Sequence, residues 1–556
     1  MKPHKPLTSL PTHEVQNMPP YLGDQDLYSY DLPLQEGLRR EGAGWSEDQT
    51  SRFGKLAGQE ETLDWANQAN RFDPQVEPFD RHGQRINQVS FHPAYHSLMD
   101  LAIANDLPTF AWNNPREGSH VAHGALSYQL NQVEGGVLCP MAMSYAVVPA
   151  LRTTPQVAEQ WLPKLLATQY DPRDIPAKEK TSVTMGMFMT EKQGGSDVRT
   201  NSTRAIPEGG NTGPGADYVL TGHKFFCSAP MSDAFLSLAY TDNGITCFLL
   251  PRWRPDGTRN GLFIQRLKDK VGNKSNATSE IELVEAWGTM VGEEGRGVQT
   301  IMNMVNGTRY YCALGSAALM RQALVQAFHH TSYRAAFDKR LIHQPLMRNV
   351  LADLALESEA ATALWMRLGR AIGAAESDPA EAALSRIGTA MGKYWVCKRA
   401  PAAVFEAMEC HGGPGYVEES ILPRLYREAP VNSIWEGSGN VMCLDVLRAM
   451  VKDKSALPAF LGEVEQAKGG HALLDNHLEK IKAELSDIED MELRARQVTE
   501  MMALAWQGAL LVRHAPNEVS DAFCNSRLGE RWSGAYGTLS RNVDFDAILK
   551  RAQGQN

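Results

Sequence analysis

Paired cysteines are missing from this 556-residue sequence. Its eight cysteines are scattered along the chain, and no two of them stand in a Cys-x-x-Cys arrangement. This spacing argues against a disulfide framework and against a structural zinc site, and it fits a reducing compartment. We therefore expect no bound metal and a cytoplasmic protein.

Long hydrophobic runs are missing as well. The most apolar segment, residues 501–512, is shorter than the ~20 residues that a membrane-spanning helix needs, so it predicts a buried helix. The opening Met-Lys-Pro-His is not followed by the apolar core of a signal peptide. The expectation is a soluble protein with no membrane partner.

An excess of basic residues is also absent. The chain carries 55 Lys and Arg against 65 Asp and Glu, a net charge of −10, which gives no indication of nucleic-acid binding at the level of the whole chain. Hydrophobic content of 43% and charged content of 22% are typical of globular proteins. The length suggests about three or four domains.

The spacing of apolar residues divides the chain into five regions. Helical spacing fills residues 41–180, where an all-α segment is expected, and it returns in residues 291–556. The third region contains short β-rich runs bounded by turn residues, which indicate an antiparallel barrel or sandwich. The predicted regions are an arm (1–40), a helical domain (41–180), a β domain (181–290), a helical bundle (291–450) and a helical extension (451–556).

One carboxylate, Glu436, lies between an aromatic residue and a glycine-rich turn in the segment Asn432-Ser-Ile-Trp-Glu-Gly-Ser-Gly-Asn440. Trp435 can provide an apolar wall, which would raise the basicity of the carboxylate. Gly437 and Gly439 leave room for the backbone to approach a flat ligand. An ordinary solvated turn is the alternative for this segment taken alone.

Two further motifs can contact a planar heterocycle. The loop Met189-Thr-Glu-Lys-Gln-Gly-Gly-Ser-Asp197 offers hydroxyls at Thr190 and Ser196 and free amides beside paired glycines. The strand end Gly222-His-Lys-Phe-Phe-Cys-Ser228 could stack Phe226 on a ring and place Ser228 at the edge of that ring. A surface loop and a core strand are the corresponding alternatives.

Two other motifs can bind phosphate. Arg334, at the start of Arg334-Ala-Ala-Phe-Asp-Lys-Arg-Leu-Ile-His-Gln344, has the planar fork suited to a pyrophosphate. The turn Cys410-His-Gly-Gly-Pro-Gly-Tyr416 could hold phosphate oxygens with its amides, although a helix-ending glycine turn is the simpler interpretation.

Taken together and in this order, the five motifs resemble those of the acyl-CoA dehydrogenase family of flavoproteins, over roughly residues 60–450. The resemblance implies an α+β multidomain fold: an N-terminal α domain, a central antiparallel β domain and a C-terminal four-helix domain, here with an extra helical extension. It also implies FAD as cofactor, an acyl-CoA as substrate and a homotetramer in which Arg334 and Gln344 reach the FAD of a neighbouring subunit. The residues assigned to FAD are Met189, Thr190, Gly195, Ser196, Phe226, Cys227, Ser228, Arg334, Phe337, Gln344, Gly412, Gly413, Ile434, Trp435, Gly437, Ser438 and Asn440.

The reaction that this resemblance implies is α,β-dehydrogenation of an acyl thioester, with Glu436 as the base at Cα and flavin N5 as the hydride acceptor. An oxidase of acyl-CoA or nitroalkane type remains an alternative. Three positions depart from the family pattern: Asp338 stands where Gly is usual, Glu409 where Gln is frequent, and Lys274 where Arg is frequent. They put the adenine end of the site in doubt more than the flavin end.

A protein that binds double-stranded DNA, with a mainly structural flavin site, is the alternative from another class. It comes from a resemblance to a subgroup of the family that is linked to alkylation damage and binds DNA through an appended tail. Residues 451–556 hold 13 Lys and Arg against 16 Asp and Glu, so this region is not strongly basic. The candidate DNA contacts are Arg448, Arg513, Arg527 and Arg531.

Overall fold

A computed structural model describes residues 6–530 and 534–555. Residues 6–31 form an arm that contains no helix and is largely exposed. The first helix, α1 (Leu32–Arg40), begins inside the region predicted as arm, because Asp31 caps it by accepting a hydrogen bond from the Leu34 N–H. Pro33 in the first turn has the backbone angle that a helix start needs.

The N-terminal part consists of helices and one hairpin. Its longest helix, α6, is almost entirely buried, so it lies at the centre of this part. The remaining elements are α2 (Glu47–Ala57), α3 (Glu60–Arg71), β1 (Gln75–Phe79), β2 (Arg85–Ser90), α4 (Pro93–Ala104), α5 (Phe110–Asn113), α6 (Ser119–Val133), α7 (Leu138–Ala146), α8 (Val148–Arg152) and α9 (Pro155–Leu165).

The expectation of an all-α segment is wrong at this hairpin. Strands β1 and β2 pair antiparallel, and the turn between them has Gly83 at φ 78°. That backbone angle favours glycine. Polar and apolar residues alternate at the start of β1, and the Asp80-Arg-His-Gly83 turn that follows this strand is the signal that could have predicted the hairpin.

The central part is a seven-stranded sheet, and the short runs predicted as strands lie in it. Strand β4 pairs with β5 and β6, β9 pairs with β5 and β7, and β7 pairs with β6, so the sheet closes on itself, and β8 pairs with β9. The strands are β3 (Met185–Phe188), β4 (Arg204–Pro207), β5 (Asp217–Ser228), β6 (Ala234–Thr241), β7 (Gly244–Pro251), β8 (Leu262–Leu267) and β9 (Thr278–Val291).

The sheet is mixed, not purely antiparallel as predicted. Strand β6 runs parallel to β3 and also to β4, whereas the other pairings are antiparallel. Parallel neighbours require a long connection. The chain passes through β4 and β5 between β3 and β6, so the spacing of the apolar runs leaves either direction open.

Long helices form the third part. Helices α10, α11 and α12 pack against one another, and α12 also packs on α15. The elements are α10 (Gly297–Tyr333), β10 (Ala335–Ala336), β11 (Lys339–Arg340), α11 (Pro345–Ala374), α12 (Pro379–Glu409), α13 (Gly413–Tyr416), α14 (Leu422–Glu428) and α15 (Gly439–Lys452).

A helical extension completes the chain. It comprises α16 (Ala456–Glu465), α17 (Ala472–Ser486), α18 (Met491–His514), α19 (Asn517–Phe523) and α20 (Phe545–Ala552). The apolar run 501–512 lies in α18, where Trp506 is fully buried, so the predicted buried helix is confirmed. Within the described ranges, no helix is long and apolar enough to cross a membrane. The α+β multidomain fold is the predicted one.

Candidate functional site

Glu436 lies in a strained turn directly before α15. It has φ 58°, in the left-handed region that costs a non-glycine residue roughly 1–2 kcal/mol, and Gly437 follows at φ 102°. Two cations hold the turn: Arg309 Nε donates to the Glu436 carbonyl (3.0 Å) and Lys393 Nζ to the Gly437 carbonyl (2.7 Å). Asp445, from α15 itself, fixes Arg309 by an ion pair of 2.9 Å.

The Glu436 carboxyl is buried and incompletely paired. Its Oε2 has no hydrogen-bond partner among the described residues. Burial raises the pKa of Glu436, and the Thr308 hydroxyl and the charges of Arg309 and Lys393 oppose that rise. A carboxylate in such surroundings is a stronger base than a solvated one.

The residues flanking Glu436 are less enclosed. Trp435 is half-buried and donates from Nε1 to Asn432 Oδ1 (3.1 Å), which fixes its ring. Ile434 is 64% exposed, and Ser438 is exposed too. The Asn440 side chain accepts from Arg496 Nε (2.8 Å) in α18, so the extension contacts this turn.

The loop after β3 is held by a carboxylate to which the sequence interpretation gave no role. Glu191 forms a fully buried ion pair with Lys224 of β5 (2.9 Å) and also accepts from the Ser202 N–H (2.7 Å). The Thr190 carbonyl accepts from the Phe225 N–H (2.8 Å). Thr190 therefore lies beside the end of β5. Gly195 packs so closely on Thr190 that a side chain at position 195 would collide with it.

The three predicted residues at the end of β5 point to two different faces of the sheet. Phe226 is 53% exposed, and the Ser228 hydroxyl lies 3.1 Å from the Thr278 hydroxyl of β9. Cys227 is instead fully buried in the core of the sheet. Its side chain therefore faces the interior of the sheet, away from the exposed ring of Phe226, because neighbouring residues of a strand point to opposite faces.

Cys139, at the start of α7, links the strand end to the Glu436 turn. Burial raises the pKa of the Cys139 thiol to about 12, the Glu436 charge adds to the rise, and the Ser228 hydroxyl opposes it. The charge of Glu436 and the hydroxyl of Ser228 therefore both influence this thiol. A single cysteine at a helix start carries no sequence signal, so sequence reasoning missed it. We call Thr190, Phe226, Ser228, Trp435 and Glu436 the carboxylate cluster.

A cavity of about 380 Å³ lies next to the end of β5, although none of the five residues of the carboxylate cluster lines it. It lies between α4, β2 and the segment before β3, and it reaches Ala229, the residue after Ser228. His96 and Tyr170, joined by a hydrogen bond of 2.8 Å, lie in its wall together with the buried ion pair of Lys180 and Asp233.

The β10–β11 hairpin carries Arg334, Phe337 and Gln344. Its turn has both Phe337 (φ 53°) and Asp338 (φ 57°) in the left-handed region, which explains why glycine is usual at position 338. Phe337 is 95% exposed. Gln344 Nε2 donates to the Ala336 carbonyl (2.9 Å) and braces the hairpin.

The Gly412–Gly413 turn lies at the same end of the molecule as the hairpin. The rings of His411 and His330 are 4.5 Å apart, and the Arg334 N–H donates to the His330 carbonyl (2.9 Å). Gly412 has φ 64°, and no atom approaches a side-chain position at either glycine. We call Arg334, Phe337, Gln344, Gly412 and Gly413 the hairpin cluster.

The two clusters are far apart in one copy of the chain. Arg309, beside Glu436, and Arg334 are 25 residues apart along α10 and its end. At 1.5 Å per residue this separation is about 37 Å, farther than one FAD molecule reaches. A single copy therefore does not bring the five motifs into one slot.

The four arginines proposed for DNA have different surroundings. Arg527 is buried in ion pairs with Asp353 and Glu357, so its prediction as a phosphate contact is wrong: its charge is already neutralised inside the protein. Arg513 pairs with Glu463 (3.3 Å). The Arg448 side chain is 55% exposed, and Arg531 lies outside the described residues. No group of three His, Cys, Asp or Glu side chains within 6–530 and 534–555 could hold a metal ion.

Comparison with known proteins gives three consecutive family matches. Residues 17–172 match the adaptive response protein AidB N-terminal domain. Residues 186–286 match the acyl-CoA dehydrogenase middle domain and residues 295–451 its C-terminal domain. The chain belongs to the acyl-CoA dehydrogenase family, as its motifs predict.

Within that family the chain is of the AidB type. It is 41% identical to AidB of Escherichia coli (strain K12) over 98% of this chain and 99% of that one. The structure of Caenorhabditis elegans ACDH-11 in complex with C11-CoA superposes with a TM-score of 0.85, at 27% identity and 96% coverage of both chains. An acyl-CoA dehydrogenase complexed with FAD from Bacillus anthracis shares the fold, with a TM-score of 0.65, 18% identity and coverage of 83% and 86%.

Proposed function

We propose that the chain is an FAD-dependent oxidoreductase that removes hydrogens from Cα and Cβ of an acyl thioester, with Glu436 as the base. The observation that carries this proposal is the Glu436 carboxyl, whose buried Oε2 has no partner among the described residues. An unpaired buried carboxylate is costly, and such cost is typical of functional groups. The ACDH-11 structure with C11-CoA supports an acyl-CoA as the substrate class.

The carboxylate cluster suits the flavin end of FAD. Gly195 leaves the Thr190 hydroxyl uncovered, and Gly437 occupies a position where a side chain would approach Met442 Cε at 2.6 Å. Phe226 has an exposed ring for stacking, and Ser228 offers a hydroxyl at the edge of the sheet. When bound, FAD would supply the hydride acceptor.

Glu436 would take the proton from Cα. The raised pKa of its buried carboxyl favours proton uptake, and a well-placed base contributes a factor of ~10²–10⁴ in rate. The Glu436 N–H donates to no acceptor within the described ranges, so it can stabilise negative charge that develops on the thioester oxygen. Arg309 and Lys393 fix the two carbonyls that follow this donor along the backbone, those of Glu436 and Gly437, and keep the turn in place.

The hairpin cluster suits the diphosphate and adenine end of an FAD held by a second copy of the chain. Arg334 and the amides of Gly412 and Gly413 are donors for phosphate, and the distance from Glu436 excludes one shared FAD within a single copy. We infer a homotetramer on this basis and from the family resemblance. The eight cysteines are free thiols, which supports the reducing cytoplasm as its location.

Substitution of Glu436 by Gln tests the base. We expect the purified variant to stay yellow, while the rate of flavin bleaching in an anaerobic titration with a panel of acyl-CoAs, C11-CoA included, falls at least 10²-fold because the proton acceptor is gone. Glu479→Gln, whose side chain is 67% exposed on α17, is the matched control. Wild-type bleaching by Glu436→Gln would remove Glu436 from this role.

The likeness to AidB keeps DNA binding and a link to alkylation damage as the second candidate. Of the three proposed contacts that the structure describes, Arg527 is already paired in the protein interior, and Arg448 has the most exposed side chain. A gel shift with duplex DNA tests this candidate. An affinity for DNA that falls steeply with salt, and that is lower still in Arg448→Ala, would favour it. No shift at low salt would exclude it.

A further inference from the structure

One amide side chain of the N-terminal arm binds the hairpin that carries Arg334. Asn17 Oδ1 accepts from the Ala335 N–H (2.7 Å), and Asn17 Nδ2 donates to the Ala335 carbonyl (2.8 Å). Ala335 is paired with Arg340 across the hairpin, so Asn17 satisfies the outer edge of β10 as a third strand would. The two partners are 318 residues apart in sequence.

The same arm segment contacts the Arg334 guanidinium. Arg334 Nη1 donates to the Asn17 carbonyl (2.8 Å) and lies 3.4 Å from Met18 Sδ. Within the described ranges, no carboxylate pairs with Arg334, and no acceptor lies within hydrogen-bonding distance of its Nε or Nη2. The arm therefore holds one nitrogen of the fork and leaves the other two nitrogens for an anion.

A third polar contact joins the arm to the end of α10. A ring nitrogen of His329 donates to the Pro20 carbonyl (2.7 Å), one helical turn before the hairpin. Apolar burial contributes little here, since Val15 is 45% exposed and Met18 53% exposed. A terminus that was merely tied down would bury such side chains. The contacts of this segment are instead polar, and they converge on the hairpin and on Arg334.

We propose that Asn17 is a positioning residue for the diphosphate-binding site: through Ala335 and its own carbonyl it holds the Arg334 fork ready for the diphosphate of FAD. This inference rests on the proposed function, because it takes Arg334 to be a ligand of that diphosphate. A long flexible side chain that is ordered before binding loses less entropy on binding. Loss of the Asn17 side chain should therefore weaken FAD binding without removing any direct contact to it.

The test measures FAD affinity of the full-length apoprotein by quenching of flavin fluorescence. We expect Asn17→Ala to raise the Kd for FAD about tenfold, or ~1.4 kcal/mol, and Arg334→Ala to raise it at least as much. The double variant should bind FAD no more weakly than Arg334→Ala alone, since Asn17 acts through Arg334. Gln16→Ala is the matched control, because among the described residues the Gln16 side chain bonds to Glu14 of the same arm and to no part of the hairpin, and it should retain wild-type affinity.

Limited proteolysis is a second measurement, and it does not depend on the FAD affinities of the variants. If the arm and FAD are coupled, saturating FAD must slow proteolytic cleavage of the arm in the wild type, and this protection must vanish in Asn17→Ala. Wild-type affinity in Asn17→Ala, with weakened binding in Arg334→Ala, would overturn the role of Asn17 and leave the proposed function intact. Wild-type affinity in Arg334→Ala would overturn both. Additive losses in the double variant would also overturn the inference.

Discussion

At the scale of single residues, Glu436 combines backbone strain with an unpaired buried charge. Its left-handed φ and its unsatisfied Oε2 both cost free energy, and the bonds from Arg309 and Lys393 to the neighbouring carbonyls keep the turn in place. Such features persist where a protein needs a reactive group in a fixed position. Stability and reactivity should then respond in opposite directions when Glu436 is changed.

Glu436→Gln should raise the melting temperature at pH 8 while it lowers the rate of flavin bleaching by acyl-CoA at least 10²-fold. The folded-state pKa of Glu436 lies above its unfolded value, so its contribution to stability is present at low pH and is lost as pH rises through the folded pKa. The neutral amide avoids that loss. Calorimetry at pH 8 and pH 5 is the measurement, and the gain should shrink at pH 5. A destabilised variant at pH 8 would show that the carboxylate is well compensated.

Single residues also mark the limit of prediction from sequence. Glu436, Thr190 and Arg334 could be proposed as site residues because each lies in a motif whose glycines or spacing carry information, and these assignments stay predictions. The burial of Cys227 and Arg527 could not be predicted, and Arg527 was misjudged as a phosphate contact, because burial depends on partners distant in sequence. Arg527, for example, pairs with Asp353 and Glu357 across more than 160 residues.

At the scale of elements, the buried Glu191–Lys224 pair joins the loop after β3 to strand β5. Burial raises the pKa of Glu191, but Lys224 and the hydrogen bonds to Glu191 outweigh it and lower the pKa to about 2. Lys224 also donates to the Leu238 carbonyl (2.8 Å), so the pair reaches β6 as well. Thr190 precedes Glu191 directly, and its position depends on this contact.

Lys224→Met should destabilise the protein by about 3–5 kcal/mol, because it leaves a buried carboxylate without its cation. Urea unfolding measures the loss, and FAD affinity should fall with it as the Thr190 loop loosens. The double change Glu191→Gln with Lys224→Met should recover part of the stability, since no lone charge remains. Arg296→Met, which breaks the exposed pair with Glu293, is the control and should cost less than ~1 kcal/mol. If Lys224→Met and Arg296→Met lowered the free energy of unfolding equally, the buried pair would contribute no more to stability than the exposed pair.

Elements were predicted as well as their local signals allowed. Strands β5, β6, β7 and β9 were found because β-rich runs stand between turn residues. The β1–β2 hairpin was missed because helical spacing on both sides dominated the pattern. The parallel pairing of β6 has no local signal, since it depends on which strands meet after the chain has passed through β4 and β5.

At the scale of the whole molecule, α10 separates the carboxylate cluster from the hairpin cluster by about 37 Å. Each cluster has unsatisfied donors or exposed aromatic surface that suit one end of FAD. The motifs of both clusters could be found in the sequence, but the distance between the clusters became known only with the length of α10. Two copies arranged so that the hairpin of one meets the carboxylate cluster of the other would complete the site.

Cofactor binding and assembly should therefore be linked. A ligand that bridges two copies stabilises the assembly by mass action, and the assembly in turn raises the affinity for the ligand. On dilution, light scattering should show the apoprotein dissociating at a higher protein concentration than the FAD-loaded protein. Phe337→Ala removes a ring that is 95% exposed at the hairpin tip, and it should raise the protein concentration at which the copies dissociate. Leu493→Ala, at an exposed position of α18, should leave that concentration unchanged. An apoprotein that keeps its assembly at every concentration would mean that the copies associate through other surfaces, and FAD would then be bound within an interface formed without it.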